Sequence, residues 1–294
     1  MRYIELKPLH LWWVIGKDAE RYLNARLTNN IKLLKTGDYC LAAALSAQGR
    51  TEGLFVVVRQ EDKFIVYTVG GEKEKTFASL RKFVVADRVE FFDKSAEHRL
   101  FHVIERDGSE SKLEKELFLL KESGGGTTSF LSLSIDRAEA GGRDILTDFD
   151  FDFKSQICAS PITFEEFEFL RIKNKRPAFP SELNESSLFL EGGWSEPIAF
   201  NKGCYIGQEV VEKITAIGEA PRVLKVLCFA NCSHKISADE RVCNDSGEII
   251  GKIVSSATDS KERICYAFAL LRNDPNAWSS LLFAGGVAGE IYER

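Results

Sequence analysis

The segment Asn201-Lys202-Gly203-Cys204-Tyr205-Ile206-Gly207-Gln208-Glu209 places a thiol, an ammonium, a phenol, a carboxamide and a carboxylate within nine residues. A packed core does not need that mixture of polar groups. A cysteine reacts as its thiolate, and a neighbouring lysine favours the anion. Gly203 and Gly207 give the backbone conformations that other residues rarely adopt, or let a ligand approach closely. The segment therefore predicts a polar loop that presents Cys204 beside other functional groups. The alternative is a surface turn with an incidental cysteine.

Positions 202 to 209 match the signature Lys-Gly-Cys-Tyr-x-Gly-Gln-Glu without a gap. In this segment the chain resembles the YgfZ-like folate-binding proteins of iron–sulfur cluster assembly, which are related to the glycine-cleavage T-protein, an aminomethyltransferase. Similarity that is weaker and individually unspecific extends along much of the chain. It includes Trp13 to Asn30, Ala47-Gln48-Gly49-Arg50, Leu170-Arg171-Ile172 and Gly247 to Ala257.

The resemblance implies an α+β fold. A folate-binding, T-protein-like region would cover residues 1–222, with a ferredoxin-like part at about 50–145, and an antiparallel β-barrel would cover residues 223–294. A length of 294 residues independently suggests two domains with a sizeable core. After Arg222 the chain has strand-like runs and no long helical pattern, which predicts a small all-β domain. Those runs are Leu224 to Phe229, Gly247 to Ser256 and Ile264 to Leu271, with a bulge or bend expected at Gly251.

The first half of the chain alternates strand-like and helical patterns, which is typical of an antiparallel sheet with a helix on one face. Asp18 is expected to cap a helix that runs to Leu27. Predicted strands are Leu41 to Leu45, Leu54 to Val58, Phe64 to Val69, Val89 to Phe92, Leu100 to Ile104, Leu117 to Leu120 and Phe130 to Ile135. Gln60-Glu61-Asp62 is predicted to be a hairpin connection between the second and third of these strands. A further helix is predicted from Glu72 to Val84, and Ser123 to Gly126 is predicted to be a loop tip.

Thr163-Phe164-Glu165-Glu166 has the spacing of a capping box and predicts a helix to about Asn174. Phe164, Phe167 and Leu170 would form its apolar face, with Arg171 at the edge of that face. Pro177 and Pro180 would end the helix. An irregular segment then continues to Cys204, and a loop of this length is uncommon unless it is functional.

A folate site needs apolar or aromatic walls, a carboxylate or amide for the pterin edge, and cations for the glutamate tail. By resemblance, the expected cofactor is tetrahydrofolate or a one-carbon derivative. Arg171 is expected to bind a carboxylate bidentately, or else to lie over a hydrophobic face. Tyr205 is expected to stack or to donate a hydrogen bond. Gln208 and Glu209 are expected to contact the pterin edge, or to rigidify the Cys204 loop.

The resemblance implies an accessory protein that supports assembly or repair of four-iron four-sulfur enzymes, including those that modify tRNA. Its partners would be folate and iron–sulfur client or assembly proteins. Cys204 would be the working thiol, as a nucleophile, a redox group or a transient cluster ligand, with Lys202 favouring its thiolate. A transferase-like enzymatic activity stays open.

Two alternative functions remain. The first is an aminomethyltransferase of the glycine-cleavage type, although the stretch Tyr67 to Lys75 lacks the Asp that those enzymes carry near the folate. In that stretch Glu72 or Glu74 would have to substitute. The second alternative is a folate-binding scaffold without chemistry of its own.

Composition excludes several classes. The net charge of −5 argues against direct nucleic-acid binding, and the densest basic cluster, Lys173, Lys175 and Arg176, is expected to be a solvated helix end. No segment approaches the roughly 20 apolar residues that span a bilayer, and no signal peptide is apparent, so we expect a cytoplasmic protein, or a mitochondrial-matrix protein in a eukaryote. Seven cysteines without a Cys-x-x-Cys pair predict free thiols and no metal site, with Cys228 and Cys265 in strand cores.

Overall fold

The computed structural model describes residues 1–104, 130–232, 234–259, 261–278 and 281–293. The predicted strand Leu117 to Leu120 and the loop Ser123 to Gly126 lie outside these ranges. Two five-stranded sheets, a closed six-stranded barrel and a few short helices make up the described part. The helices are α1 (Ala19–Arg26), α2 (Lys73–Arg81), α3 (Phe153–Gln156), α4 (Phe164–Lys173) and α5 (Gln208–Ile217). The described helices include no candidate for a membrane span.

The first sheet is antiparallel and carries α1 and α2 on one face. Its strands, in spatial order, are β3 (Tyr39–Leu45), β4 (Thr51–Arg59), β5 (Phe64–Val69), β2 (Leu9–Ile15) and β6 (Glu90–Asp93). The predicted hairpin between β4 and β5 is confirmed, since Arg59 pairs with Phe64 and the Gln60 N–H donates to the Lys63 carbonyl.

The second sheet contains β10 (Ser160–Pro161), β1 (Arg2–Glu5), β7 (His98–Ile104), β9 (Arg143–Asp148) and β8 (Phe130–Ser134), in that spatial order. Its strands are antiparallel, apart from the short parallel pair of β1 with β10. The strands of residues 50–145 are therefore divided between the two sheets: β4 to β6 lie in the first, and β7 to β9 lie in the second.

Strand β4 shows how the two sheets pack. Phe55 and Val57 point into the core beneath α1 and α2, whereas Val56 and Val58 point into a second core shared with the other sheet. Successive side chains of a strand face opposite sides. Both faces of this strand are buried, which explains its continuous apolar run. Burial of each large apolar side chain of this strand stabilises the folded state by about 1.5–3 kcal/mol.

The six C-terminal strands close into an antiparallel barrel. In spatial order they are β11 (Arg222–Ala230), β14 (Ile264–Arg272), β13 (Ile249–Asp259), β12 (Arg241–Cys243), β15 (Leu282–Ala284) and β16 (Val287–Ile291). Cys265 lies in the barrel core, as predicted, while Cys228 is half-buried. The register shifts beside Gly251, where an added Cβ would lie 2.4 Å from the Leu270 carbonyl oxygen. The expected bulge is therefore present.

Helix α4 lies between the sheets and the barrel. The predicted capping box is present: Thr163 and Glu166 exchange hydrogen bonds. Phe167 packs into the core between the sheets, and Ile172 packs against the outside of the barrel. The helix is therefore apolar on two sides rather than one. The predicted apolar face is wrong at Phe164, which is 59% exposed.

The expected cap of α1 is also wrong. Asp18 occupies the position before the helix, but its side chain makes no capping hydrogen bond. Its carboxylate instead accepts a hydrogen bond from the backbone N–H of Arg88, at 2.9 Å. Asp18 therefore joins the start of α1 to the segment that leads into β6.

Candidate functional site

A cavity of about 730 Å³ opens between the two sheets. Its floor is formed by the shared core, with Val56 and Tyr67 from one sheet and Ile4 and Ile135 from the other. Helix α4 and the irregular segment after it form the remaining wall. Cavities of this size accommodate a cofactor-sized organic ligand.

Aromatic side chains make up much of the cavity wall. They are Tyr67, Phe164, Phe167, Phe179 and Trp194. Flat rings bury large areas and favour stacked or edge-to-face partners. The exposed position of Phe164 is consistent with a place at the rim of the cavity rather than in the core. These walls suit a flat, conjugated ring.

Arg171 lies in this wall with its side chain 2% exposed. Its Nε and Nη2 donate to the two carboxylate oxygens of Glu168, each at 2.6 Å. Its Nη1 and Nη2 donate to Glu182 at 2.8 and 3.1 Å, and Nη1 also donates to the Arg176 carbonyl. Five N–H groups thus meet five acceptors. Arg171 binds carboxylates bidentately, but both belong to the protein.

The Arg171 network presents Glu168 to the cavity, because Glu168 is itself a lining residue. Burial opposes the charge of Arg171, but Glu182 and Glu168 outweigh it and raise the pKa of the guanidinium. A carboxylate held from behind by a bidentate arginine has a fixed orientation. Glu168 is therefore a preorganised acceptor for N–H groups of a ligand.

A second buried network centres on Asp144. The carboxylate accepts hydrogen bonds from the Tyr67 hydroxyl at 2.9 Å and from Arg137 Nε and Nη2 at 2.9 and 2.7 Å. His102 Nδ1 lies 3.0 Å away and carries the proton, since an ionised carboxylate only accepts. Burial alone would raise the pKa of Asp144, but Arg137 and His102 lower it far below its usual value. Tyr67 and Arg137 line the cavity.

The basic cluster at the end of α4 agrees in part with the expected solvated helix end. Lys175 is exposed, as predicted, but Lys175 and Arg176 also line the cavity. Lys175 has a backbone φ of +58°, a conformation that few lysines adopt. Arg176 Nη2 donates to Asp136 at 3.1 Å. These residues give the cavity cationic groups.

The signature segment lies elsewhere. Cys204 is exposed. Neither it nor Lys202, Tyr205, Gln208 or Glu209 lines the cavity that Arg171 lines. Of the predicted site residues, the structure thus keeps five together on one segment and puts Arg171 in a separate wall.

Lys202 has different partners from the one expected. Its ammonium donates to the backbone carbonyls of Asn24, Leu27 and Asn29, at and beyond the C-terminal end of α1. These bonds use all three of its N–H donors, so none remains for Cys204. Burial lowers the pKa of Lys202 to about 8. The thiol that interacts with its charge is Cys40, whose own pKa is raised by burial to about 12.

Tyr205 and Gln208 hold the segment in place. The Tyr205 ring is buried with Leu45, Ile198 and Val211, and burial raises the pKa of its phenol to about 12. The Gln208 side chain accepts from the Tyr205 N–H at 3.2 Å and donates to Glu212 at 2.6 Å. This matches the alternative in which Gln208 rigidifies the loop. Glu209 is exposed in the first turn of α5.

Glycine is required at position 207. Gly207 has a φ of +85°, which L side chains rarely adopt. A Cβ there would lie 2.6 Å from the carbonyl oxygen of Ser46. Gly207 therefore lets the signature segment pack against the turn after β3.

Within the described ranges, no three His, Cys, Asp or Glu side chains are arranged to hold a metal ion. His102 belongs to the Asp144 network, and its Nε2 is buried without a hydrogen-bond partner in the described part of the chain. The observed contacts of His102 are the hydrogen bond to Asp144 and an edge-to-face contact with the Phe167 ring.

Sequence reasoning missed Glu168, Arg137 and Asp144. Glu168 had an available signal, because a residue three positions before Arg171 on a helix lies beside it. Arg137 and Asp144 had none: they meet across the connection between β8 and β9, and only the sheet packing brings Tyr67 to them.

No family model matches the chain. A chloroplastic protein of Arabidopsis thaliana, provisionally named a transferase, is 23% identical over 256 residues, which are 82% of this chain and 58% of that protein. This chain thus spans a little over half of that relative. An uncharacterized protein of Haemophilus influenzae is 24% identical over 236 residues, which are 76% of this chain and 72% of that protein.

Among solved structures, the chain is similar to the glycine cleavage system aminomethyltransferase T from Bartonella henselae. The TM-score is 0.77, and the match covers 99% of this chain and 85% of that chain at 14% identity. At that identity the likeness shows a shared fold. The predicted fold class, a T-protein-like α+β region followed by an antiparallel β-barrel, is confirmed.

Proposed function

We propose that this chain binds a reduced folate, tetrahydrofolate or a one-carbon derivative, in the cavity between its two sheets. The observation that carries the proposal is Glu168, fixed by Arg171 in an aromatic-walled cavity of about 730 Å³. A pterin is flat and presents adjacent N–H groups at one edge. An oriented carboxylate accepts such a pair, and aromatic walls cover the ring faces.

Calorimetric titration of the full chain tests this proposal. The titrants are tetrahydrofolate, 5-formyltetrahydrofolate and 5,10-methylenetetrahydrofolate, with p-aminobenzoylglutamate as a control that lacks the pterin. We expect saturable binding of at least one reduced folate at one site, with a negative heat-capacity change from apolar burial. The control should give no saturation in the same range. If no reduced folate binds, the proposal fails.

The second part of the proposal is a role in assembly or repair of four-iron four-sulfur enzymes, with Cys204 as the working thiol. Its support is the exposure of Cys204 on a segment outside the cavity, where a second protein has access to it. One cysteine cannot hold a cluster alone, so any ligation would need a client or assembly protein. The proposed clients include enzymes that modify tRNA, as the resemblance of the signature to the YgfZ-like proteins implies.

Complementation tests the role of the thiol. A strain that lacks the protein would receive the wild type, Cys204→Ser or Cys158→Ser, the last being a control at another exposed cysteine. The measured quantity is the activity of a four-iron four-sulfur enzyme at equal protein level. We expect rescue by the wild type and the control, and no rescue by Cys204→Ser. Rescue by Cys204→Ser would instead support the scaffold function.

The aminomethyltransferase alternative has less support. Thr68, Val69 and Gly70 of the relevant stretch line the cavity, but Glu72 and Glu74 do not. Glu72 instead pairs with Lys75 at the start of α2. We therefore expect no methylenetetrahydrofolate from an aminomethyl-lipoyl carrier protein and tetrahydrofolate. Formation of that product would restore the alternative.

A further inference from the structure

The arginines that line the cavity differ in how much of their donor capacity the protein uses. A guanidinium has two bidentate edges, a side-on edge formed by Nε and Nη2 and an end-on edge formed by Nη1 and Nη2. Arg171 has Glu168 on its side-on edge and Glu182 on its end-on edge. Arg171 therefore shows what a fully occupied arginine looks like in this wall.

Arg137 has a carboxylate on only one of its two edges. Asp144 occupies its side-on edge, with Nε and Nη2 at 2.9 and 2.7 Å from the carboxylate. Among the described residues, Nη1 has no hydrogen bond to an acceptor, and the Tyr67 hydroxyl, which interacts with the guanidinium, is itself bound to Asp144. The side chain is 20% exposed. Its Nη1 is not one of the buried side-chain atoms that lack a hydrogen-bond partner. Arg137 thus lines the cavity with an open bidentate edge.

Asp144 also fixes where that edge lies. The same carboxylate binds the Tyr67 hydroxyl and His102 Nδ1, and Asp144, Tyr67 and His102 are all fully buried. Arg137 is therefore held on a rigid base that joins the two sheets. A preorganised arginine loses little conformational entropy when it binds a ligand, which favours affinity.

Each carboxylate of the cavity wall already has an arginine as its cationic partner. Glu168 is bound to Arg171, Glu5 to Arg99, and Asp136 to Arg176 and the backbone N–H of Gly142. None of them is placed on Arg137. Among the described residues, Lys175 has no carboxylate partner and adds a positive charge to the lining. The unfilled acceptor position at Arg137 therefore suits an anionic group of a ligand.

We propose that the end-on edge of Arg137 binds a carboxylate of the cavity's ligand, in the geometry that Glu182 has on Arg171. For a reduced folate, this is a carboxylate of the glutamate tail. Arg137 is then the residue by which the cavity distinguishes a folate from a pteroate, which has the same pterin and benzoyl rings but no glutamate. This inference rests on the proposed folate function.

Calorimetric titration with matched ligands tests the inference. The full-length wild type and the Arg137→Lys variant would each be titrated with 5-formyltetrahydrofolate and with 5-formyltetrahydropteroate. A bidentate charged contact contributes enough that we expect the wild type to prefer the folate by roughly 10- to 100-fold. Lysine keeps a cation for Asp144 but has no bidentate edge. The variant should therefore bind both ligands with the affinity that the wild type has for the pteroate.

Arg99→Lys is the matched control. Arg99 has the same side-on pair, with Glu5 at 3.0 Å on both nitrogens, but it does not line the main cavity. It should keep the wild-type preference for the folate. Equal wild-type affinity for the two ligands, or an equal loss for both in Arg137→Lys, would overturn the inference while leaving folate binding intact. If neither ligand binds the wild type, the folate proposal fails and this subsite fails with it.

Discussion

The cavity wall and the signature loop each depend on one buried cation, and the two cations do different work. Arg171, 2% exposed, binds two carboxylates and so presents Glu168 to the cavity. Lys202, 8% exposed, binds three backbone carbonyls and so ties the Cys204 segment to the end of α1. Neither cation has a donor left for a substrate. A residue type that suggests chemistry in a sequence can thus serve to position its neighbours.

The largest effect is expected at the cavity wall, from Arg171→Met. The substitution leaves the carboxylates of Glu182 and Glu168 without their cation, and Glu182 is fully buried. Removing one partner of a buried ion pair costs about 3–5 kcal/mol. Urea denaturation should show a fall of that size in the free energy of unfolding.

Arg59→Met is the control for that measurement. Arg59 pairs with Glu20, and both side chains are about a third exposed. Partly exposed pairs contribute about 1 kcal/mol or less. If Arg171→Met were no more destabilising than this control, the network would not organise the cavity wall.

The next effect concerns the loop, through Lys202→Met. The substitution removes the donors for three backbone carbonyls, and hydrogen bonds to a charged group contribute about 1.5–3 kcal/mol each in favourable cases. Because methionine retains most of the packing of the aliphatic part of the lysine side chain, we expect a net loss of about 2–3 kcal/mol in the free energy of unfolding. The alkylation rate of Cys204 by iodoacetamide should rise as the loop loses its anchor. Lys213→Met, at an exposed lysine of α5, should change neither quantity.

A smaller effect distinguishes the two regions by ligand affinity. Glu168→Gln keeps the shape of the cavity wall but loses the charge that we expect to bind the pterin edge, so folate affinity should fall by about tenfold. Glu209→Gln makes the same change on the signature segment and should leave the affinity unaltered. Calorimetric titration with 5-formyltetrahydrofolate measures both variants. A loss at Glu209→Gln and none at Glu168→Gln would reverse the assignment of the regions.

The smallest effect is a pH dependence of stability. Burial lowers the pKa of Lys202 to about 8, from 10.5 in the unfolded chain. Between those values the unfolded chain binds more protons, so the contribution of Lys202 to stability rises with pH. The difference in unfolding free energy between the wild type and Lys202→Met should grow by about 1 kcal/mol from pH 7 to pH 9. A difference that is constant or shrinks would contradict the lowered pKa.

The sequence predicted elements whose signals are local. The capping box at Thr163, the hairpin between Val58 and Phe64, and the strands of the barrel all depend on neighbouring residues. Asp18 shows the limit of such signals, because its carboxylate finds the Arg88 N–H, which is distant in sequence. The division at residue 222 stays a prediction about folding units, although the first barrel strand begins at Arg222.

The candidate site was less predictable, because long-range pairing decides it. Arg171 was identified from its motif, but its partner Glu182 lies 11 residues away in an irregular segment. Lys202 stands two residues from Cys204 in sequence, yet its ammonium is bound by carbonyls about 175 residues earlier. Proximity along the chain indicated that Lys202 would pair with the Cys204 thiol. The contact is instead determined by backbone carbonyls that need hydrogen-bond donors, because leaving them unpaired inside the fold is costly.

The most direct test of the separation between cavity and loop is the alkylation rate of Cys204 with and without saturating 5-formyltetrahydrofolate, with saturation followed by calorimetry on the same sample. Mass spectrometry of the peptide that contains Cys204 gives the rate. The folate should saturate the protein at one site per chain and leave the rate unchanged. Strong protection of Cys204 by bound folate would contradict the account, as would failure of the folate to bind.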